Sequence, residues 1–185
     1  MERQEEREII DRVRGGEQAA FAVLVDAYAK PIFNLAFRMT GSRQDADDLA
    51  QETFLRAFEQ LPRFDPERSF YPWIYTIGLN LIRNHLKKHG REMTRENAAW
   101  NSSEAGIDHG AKASQDMMQA QEISRLEICL QRLPTDLREA VVLRFYQNLS
   151  FEEIATISEA SLSAVKMRVS RGLDQLKREW GQIMP

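Results

Sequence analysis

The stretch Ser150-Phe-Glu-Glu-Ile-Ala155, followed after a short turn by Ser161-Leu-Ser-Ala-Val-Lys-Met-Arg-Val-Ser-Arg171, reads as a helix-turn-helix. Ser150 and Glu153 have the spacing of a capping box, and Ser161 stands where it can cap the second helix. In that helix Val165, Val169, Gly172 and Leu176 recur at i, i+4, i+7 and i+11, so they share one apolar face. The opposite face carries Ser163, Met167, Ser170, Arg171 and Arg178, with Lys166 and Arg168 on its flanks. Such a helix can enter a DNA major groove, its cations on phosphates and its amino-terminal side chains at base edges. An ordinary amphipathic helix with a solvated cationic face gives the same pattern, and short helical pairs are common.

The rest of the chain sets the context. Its 185 residues allow one or two domains. An apolar share of 43% can build a core, and 29% charged residues favour a water-soluble protein. No apolar run is expected to span a membrane, and the start Met1-Glu-Arg-Gln-Glu-Glu-Arg is not that of a signal peptide. The single cysteine, Cys129, cannot form an internal disulfide and reads as a small buried hydrophobe. Three scattered histidines give no zinc-ligand spacing, so no metal or cofactor is expected, and the cytoplasm is the expected location. The net charge of −3 conceals segregation: residues 83–91 hold Arg83, Lys87, Lys88 and Arg91 without an acid, and residues 45–52 hold Asp45, Asp47, Asp48 and Glu52 without a base. One face can then meet nucleic acid and another a basic protein surface, although either run alone reads equally as a solvated helix face.

The expected fold is all-α, with no convincing strand alternation. Helices are expected over about 3–13, over about 17–39 with Pro31 bending it and Gly41 ending it, over about 43–60, and over about 70–89 closed by Gly90. Residues 97–115 are rich in Ala, Ser, Asn and Gly and poor in large apolar side chains, so residues 93–120 read as a flexible linker. Beyond it Ile123, Leu126, Leu130 and Leu133 mark a helix stopped by Pro134, and Thr135 starts another that runs to about Gln147.

The third and fourth helices carry a second constellation. Ala50, Phe54, Ala57 and Leu61 form the core stripe of the third, leaving Asp45, Asp48, Gln51, Glu52, Leu55, Arg56 and Glu59 outward. A leucine amid acids suggests a docking surface, although lone exposed leucines are common. On the fourth, Phe70, Trp73, Ile77 and Leu81 face inward, while Thr76, Asn80, Arg83 and Lys87 line a polar stripe with Asn84 at its edge. Phe64, Phe70, Tyr71, Trp73 and Tyr75 cluster beside it. Rings next to amides and cations suit single-stranded DNA, whose unstacked bases pack on rings while amides read their edges. Phe70 and Trp73 read as packing residues; Phe64 and Tyr75 stay open between the two roles.

Three motifs in order, Asp45-Ala-Asp-Asp-Leu-Ala-Gln-Glu-Thr-Phe-Leu-Arg-Ala-Phe58, Phe70-Tyr-Pro-Trp-Ile-Tyr-Thr-Ile-Gly-Leu-Asn80 and the helix-turn-helix, resemble the extracytoplasmic-function sigma factors of bacterial RNA polymerase, the sigma-E type above all. The resemblance implies a region two over 1–92, the linker over 93–120 and a region four over 121–185. Region two would bind the clamp helices of core polymerase through Asp45, Asp48, Gln51, Glu52, Leu55 and Arg56. It would melt and read the minus-ten element through the loop Phe64 to Ser69 and the fourth helix. There Phe64, Tyr75, Ile77, Asn80 and Asn84 would build a pocket for a flipped base, while Arg83, Lys87 and Lys88 hold phosphate. Region four would grip the polymerase flap and, through Arg144, Ser163, Lys166, Met167, Arg168, Ser170 and Arg171, the minus-thirty-five duplex. The chain departs from the family pattern at Glu159, where a turn glycine is usual, at Ser163 and Ala164 in place of Gly-Thr, and at Leu173 in place of an arginine.

The resemblance further implies an anti-sigma factor that packs between or around the two domains in a compact inhibited form, itself membrane-anchored in some arrangements, with no stable membrane insertion of this chain. Two promoter elements two duplex turns apart lie about 70 Å from each other. A linker of about 28 residues has a coil span near ~30 Å and stretches to ~95 Å, enough to bridge them. The competing reading is a stand-alone helix-turn-helix regulator, which would leave the aromatic fourth helix unexplained. An enzyme is disfavoured by the lack of a phosphate-cradling loop, metal-ligand cluster or nucleophile motif.

Overall fold

The computed structural model describes residues 1, 3–93 and 115–183, and all its regular elements are helical. The first unit comprises α1 (Arg3–Arg14), α2 (Phe21–Thr40), α3 (Arg43–Gln60) and α4 (Phe70–Met93). The second comprises α5 (Gln115–Gln131), α6 (Thr135–Val141), α7 (Phe151–Ile157) and α8 (Leu162–Ile183). The centre of the expected linker, residues 94–114, lies outside the described residues.

Helix α2 is the axis of the first unit. It packs on α1, α3 and α4, with Leu24, Ile32, Leu35, Ala36 and Met39 fully buried. Its turn into α3 rests on two local devices. Gly41 takes a left-handed φ of 75° and donates its N–H to Phe37 O at 2.7 Å, and Ser42 caps α3 by accepting from Asp45 N at 3.2 Å. The segment Gln18–Thr40 has a mean hydropathy of 1.3, so by length and composition it could cross a membrane, contrary to expectation. Here it is the packed core helix of the unit, and Pro31 sits inside it. Helix α1 is fastened by arginines: Arg7 donates to Pro66 O at 3.1 Å, and Arg14 to Leu61 O at 2.9 Å and to Phe64 O. These bonds shape the loop from Leu61 to Ser69. Buried Glu6 accepts from the Tyr28 hydroxyl and from the N–H of Phe70, the first residue of α4.

Several boundaries depart from the sequence expectation. Helix α4 continues through Gly90 to Met93, since one internal glycine costs only about 1 kcal/mol and does not by itself end a helix. Helix α5 begins at Gln115, so residues 115–120, read as linker, are helical. The helix from Thr135 ends at Val141 and widens into a π-helical turn, Val142–Tyr146, in which Gln147 N bonds Val142 O at 3.2 Å. The inward stripe of α4 also broadens. Ile74, Tyr75, Leu79 and Ile82 are buried besides Phe70, Ile77 and Leu81, while Trp73 is only half-buried. A helix apolar on most sides is a central one, and α4 is covered by α2 and α3 on one side and by α7 of the second unit on another.

The second unit is built around α8, which packs on α5, α6 and α7. Cys129 is fully buried, as expected, and burial pushes its thiol up from the ordinary range. Arg138 is buried, and among the described residues no carboxylate pairs with it. It donates to Met39 O at 2.6 Å, Gln131 O at 2.6 Å and Leu133 O at 3.1 Å, so its charge meets the carboxyl-terminal ends of α2 and α5. Burial pushes Arg138 down to about 10, which leaves it charged at neutral pH.

Candidate nucleic-acid and polymerase interfaces

The helix-turn-helix forms as its caps dictate. Glu153 N donates to Ser150 Oγ at 3.1 Å and Ser150 N to Glu153 Oε2 at 2.7 Å, closing the capping box of α7. Ser161 Oγ accepts from Ala164 N at 3.2 Å at the start of α8. Val165, Val169 and Gly172 are buried, whereas Ser163, Lys166, Met167, Ser170 and Arg171 are exposed along the other side, Met167 by 46%. Two expected members stand apart. Arg168 is half-buried and lies 3.8 Å from Asp136. Arg144 donates to Leu149 O at 2.8 Å and sits 4.8 Å from the centre of the Phe151 ring, which ties it to the entry of α7.

The turn explains one departure from the family pattern. Glu159 has a φ of 51°, the left-handed region that costs an ordinary residue about 1–2 kcal/mol and glycine little. Glu159→Gly is therefore expected to raise the stability of this unit by about 0.5–1 kcal/mol, because relief of strain outweighs the added freedom of the unfolded chain. Urea unfolding checks it, and an unchanged or lower midpoint would mean that Glu159 carries no such strain.

On α3 the expected core stripe is buried: Ala50, Phe54, Ala57 and Leu61. Asp48, Gln51 and Leu55 are exposed, Leu55 by 61%. Glu52 and Arg56 pair with each other at 2.6 Å. Asp45 is less free than its place in the acidic run implies, for it is half-buried with His85 Nε2 at 3.4 Å. Sequence reasoning missed what lies beside Leu55. An open groove of about 860 Å³ runs between α2 and α3, walled by Phe21, Val25, Phe33, Phe54, Leu55 and Phe58. The apolar flank of α2 was the available signal, but its periodicity does not say which residues stay uncovered.

On α4, Asn80, Asn84, Lys87 and Lys88 are exposed. The expected base pocket is not open in this arrangement. Phe64, Tyr75 and Ile77 are all buried. Phe64 packs 4.7 Å from Trp73 and 5.9 Å from Phe70, ring centre to ring centre, so in this arrangement its ring lies in the core. Tyr75 is covered partly by the second unit: its hydroxyl donates to Gln147 Oε1 at 2.5 Å, and burial drives its phenol well above the usual range. Arg83 is also occupied, with Nε 2.8 Å and Nη2 2.6 Å from the two carboxylate oxygens of Glu139. No group of three or more His, Cys, Asp or Glu side chains able to hold a metal ion occurs among the described residues.

One helical unit thus presents the exposed polar face of α8, and the other carries the exposed amides and cations of α4 and an apolar groove between α2 and α3. Relatives of the chain show its family. Residues 24–92 match sigma-70 region 2, and residues 123–176 match sigma-70 region 4. The chain is 30% identical to the RNA polymerase sigma-H factor of Pseudomonas aeruginosa, over 95% of this chain and 93% of that one. It is also 30% identical to the ECF RNA polymerase sigma-E factor of Haemophilus influenzae, over 95% of both. Among solved structures it resembles CnrH in complex with the cytosolic domain of CnrY, with a TM-score of 0.68 and 25% identity over 95% of this chain and 97% of that one. The chain belongs to the extracytoplasmic-function sigma factors of the sigma-70 family, which are non-enzymatic sigma factors for RNA polymerase.

Proposed function

We propose that this sigma factor docks on the clamp helices of core polymerase through α3 and the groove beside it, reads a melted minus-ten strand with α4, and reads a minus-thirty-five duplex with α8. The observation that carries the reading is the face of α8. Ser163, Lys166, Met167, Ser170 and Arg171 are all exposed on a helix whose other side is locked into the core by Val165, Val169 and Gly172. A merely solvated face has no need of Met167, whereas a groove-reading helix uses apolar contacts alongside cations.

For the first unit, exposed Leu55 on the wall of an apolar groove, with Asp48 and Gln51 nearby, suits a helical protein partner. Exposed Asn80 and Asn84 supply the amides that read base edges, and Lys87 and Lys88 the cations for phosphate. Asn80→Ala is expected to slow promoter opening about tenfold while leaving polymerase binding within twofold, because one lost base contact is worth about 1–3 kcal/mol. Permanganate footprinting of the melted strand reads the first quantity and polymerase pull-down the second; equal loss of both would contradict the assignment.

Inhibition by an anti-sigma factor fits the same reading, since the similar CnrH was solved with the cytosolic domain of CnrY. An anti-sigma factor anchored in the membrane would hold this chain there. The deciding experiment is run-off transcription from a sheared genomic library with core polymerase, with and without this chain. Discrete new start sites that share upstream sequences support promoter recognition, and binding to duplex DNA alone favours a stand-alone regulator.

A further inference from the structure

We propose that α1 braces the loop between α3 and α4, and that Arg14 and Arg7 are positioning residues for promoter opening although neither is among the expected DNA contacts. The proposal rests on the reading of α4 and the loop Phe64 to Ser69 as the elements that hold the minus-ten strand. Arg3, Arg7 and Arg14 recur at i, i+4 and i+11, so they share one side of α1. All three reach backbone carbonyls of the loop segment, 47 to 64 positions along the chain. Arg14 has its Nε and Nη2 at 3.2 and 2.9 Å from Leu61 O, and Nη2 also donates to Phe64 O. Arg7 Nη2 donates to Pro66 O at 3.1 Å and to Glu67 Oε1 at 2.5 Å, and Arg3 donates to Glu67 O.

Between the 3₁₀ turn Leu61–Arg63 and Phe70 the chain has no regular element to pair its backbone. Its own bonds include Phe64 N to Leu61 O at 3.1 Å and Arg68 N to Asp65 O at 3.0 Å. Carbonyls drawn out of water need donors, and guanidinium donors make the stronger, charge-assisted bonds. The helix that supplies them is itself fixed, because Ile9, Ile10 and Val13 bury its apolar side in the bundle. Glu6, 5% exposed, extends the brace to α4. It accepts from the N–H of Phe70 at 3.4 Å, one of the first-turn donors that a helix leaves unpaired, and from the Tyr28 hydroxyl of α2. The loop is thus tied from beneath, while Arg63, Asp65, Glu67 and Arg68 stay exposed.

Ordering a loop costs backbone entropy, and a loop already held does not lose that freedom again when a strand arrives. If loss of Arg14 lowers the ordered fraction to about a tenth, strand capture weakens about tenfold. Arg14 is exposed, so the fold itself depends little on it.

The test uses the full chain with Arg14→Ala, with Arg7→Ala as a second variant, and with Arg12→Ala as a control, since Arg12 lies on the same helix but pairs with Glu17 at 2.6 Å. Amide hydrogen exchange at Phe64 and Arg68 reads the order of the loop without DNA. With core polymerase, 2-aminopurine fluorescence in the minus-ten strand of a promoter mapped by run-off reads opening. Arg14→Ala should speed that exchange and slow opening, each about tenfold, Arg7→Ala should do the same, and Arg12→Ala should do neither. All three should keep the urea midpoint, and polymerase affinity within twofold. The slope of promoter affinity against salt should stay as in the wild type, because the brace touches no phosphate, whereas a lost phosphate contact lowers that slope by about 0.9. Unchanged exchange would overturn the brace and leave the minus-ten assignment standing. Faster exchange with native opening would overturn the positioning role and count against the loop as a strand contact. A shallower salt slope would make Arg14 a DNA contact and overturn its role as a brace.

Discussion

Leu55→Asp is expected to weaken binding to core RNA polymerase about thirtyfold or more, the loss typical of a central apolar anchor, with thermal stability almost unchanged. The two halves of this expectation have separate physical sources. Leu55 is 61% exposed, so the folded chain gains little from it, and an exposed substitution away from caps and core falls within about 0.5 kcal/mol. In a complex the same side chain would be desolvated against the wall it shares with Phe54 and Phe58, where a carboxylate carries a heavy desolvation cost. Neighbouring Asp48 would add like-charge repulsion, whereas the Glu52–Arg56 pair should stay intact and hold the helix. Titration of labelled chain with core polymerase checks the affinity, and circular dichroism the fold. A stable variant with native affinity would remove Leu55 from the docking surface and shift attention to the α2 wall, Phe21, Val25 and Phe33.

What the amino-acid sequence made legible was local. Capping by Ser150, Glu153 and Ser161, the left-handed Gly41 and the buried stripe of α8 depend on residues three to eleven positions apart, and all are found. The core stripe of α3 and the burial of Cys129 follow from the same periodicity. What escaped was set by distant partners. Ile74, Leu79 and Ile82 widen the buried side of α4 beyond the expected stripe, and α7 of the second unit lies against this helix together with α2 and α3. Tyr75 meets Gln147 from 72 positions away, and nothing near either residue announces the bond. Asp45 looked like one member of an acidic face, but His85 from α4 reaches it. Glu159 is the converse case. The family pattern marked the position as unusual, and the backbone φ of 51° supplies the physical reason.

Close packing of α8 on α6 at Gly172 carries a large expected effect: Gly172→Val should destabilise region four by about 3 kcal/mol, at the upper end for an overpacked core. A β-carbon at Gly172 would stand 2.6 Å from Val141 Cγ2 and 3.3 Å from the carbonyl oxygen of Leu137. Neither neighbour yields easily, since Val141 is buried to 2% exposure and the Leu137 carbonyl belongs to the backbone of α6. Helix α8 would have to move off α6. Its recognition face would then shift relative to α7, so minus-thirty-five binding should fall along with stability. Shrinking the opposing side chain isolates the steric contribution. Val141→Ala alone should destabilise by opening a cavity, but combined with Gly172→Val it makes room for the new methyl groups. The double variant should therefore be more stable than the sum of the two single effects by more than about 1 kcal/mol, the signature of residues in direct contact. Simple additivity in urea unfolding would mean that α6 and α8 do not meet as closely as Gly172 and Val141 require.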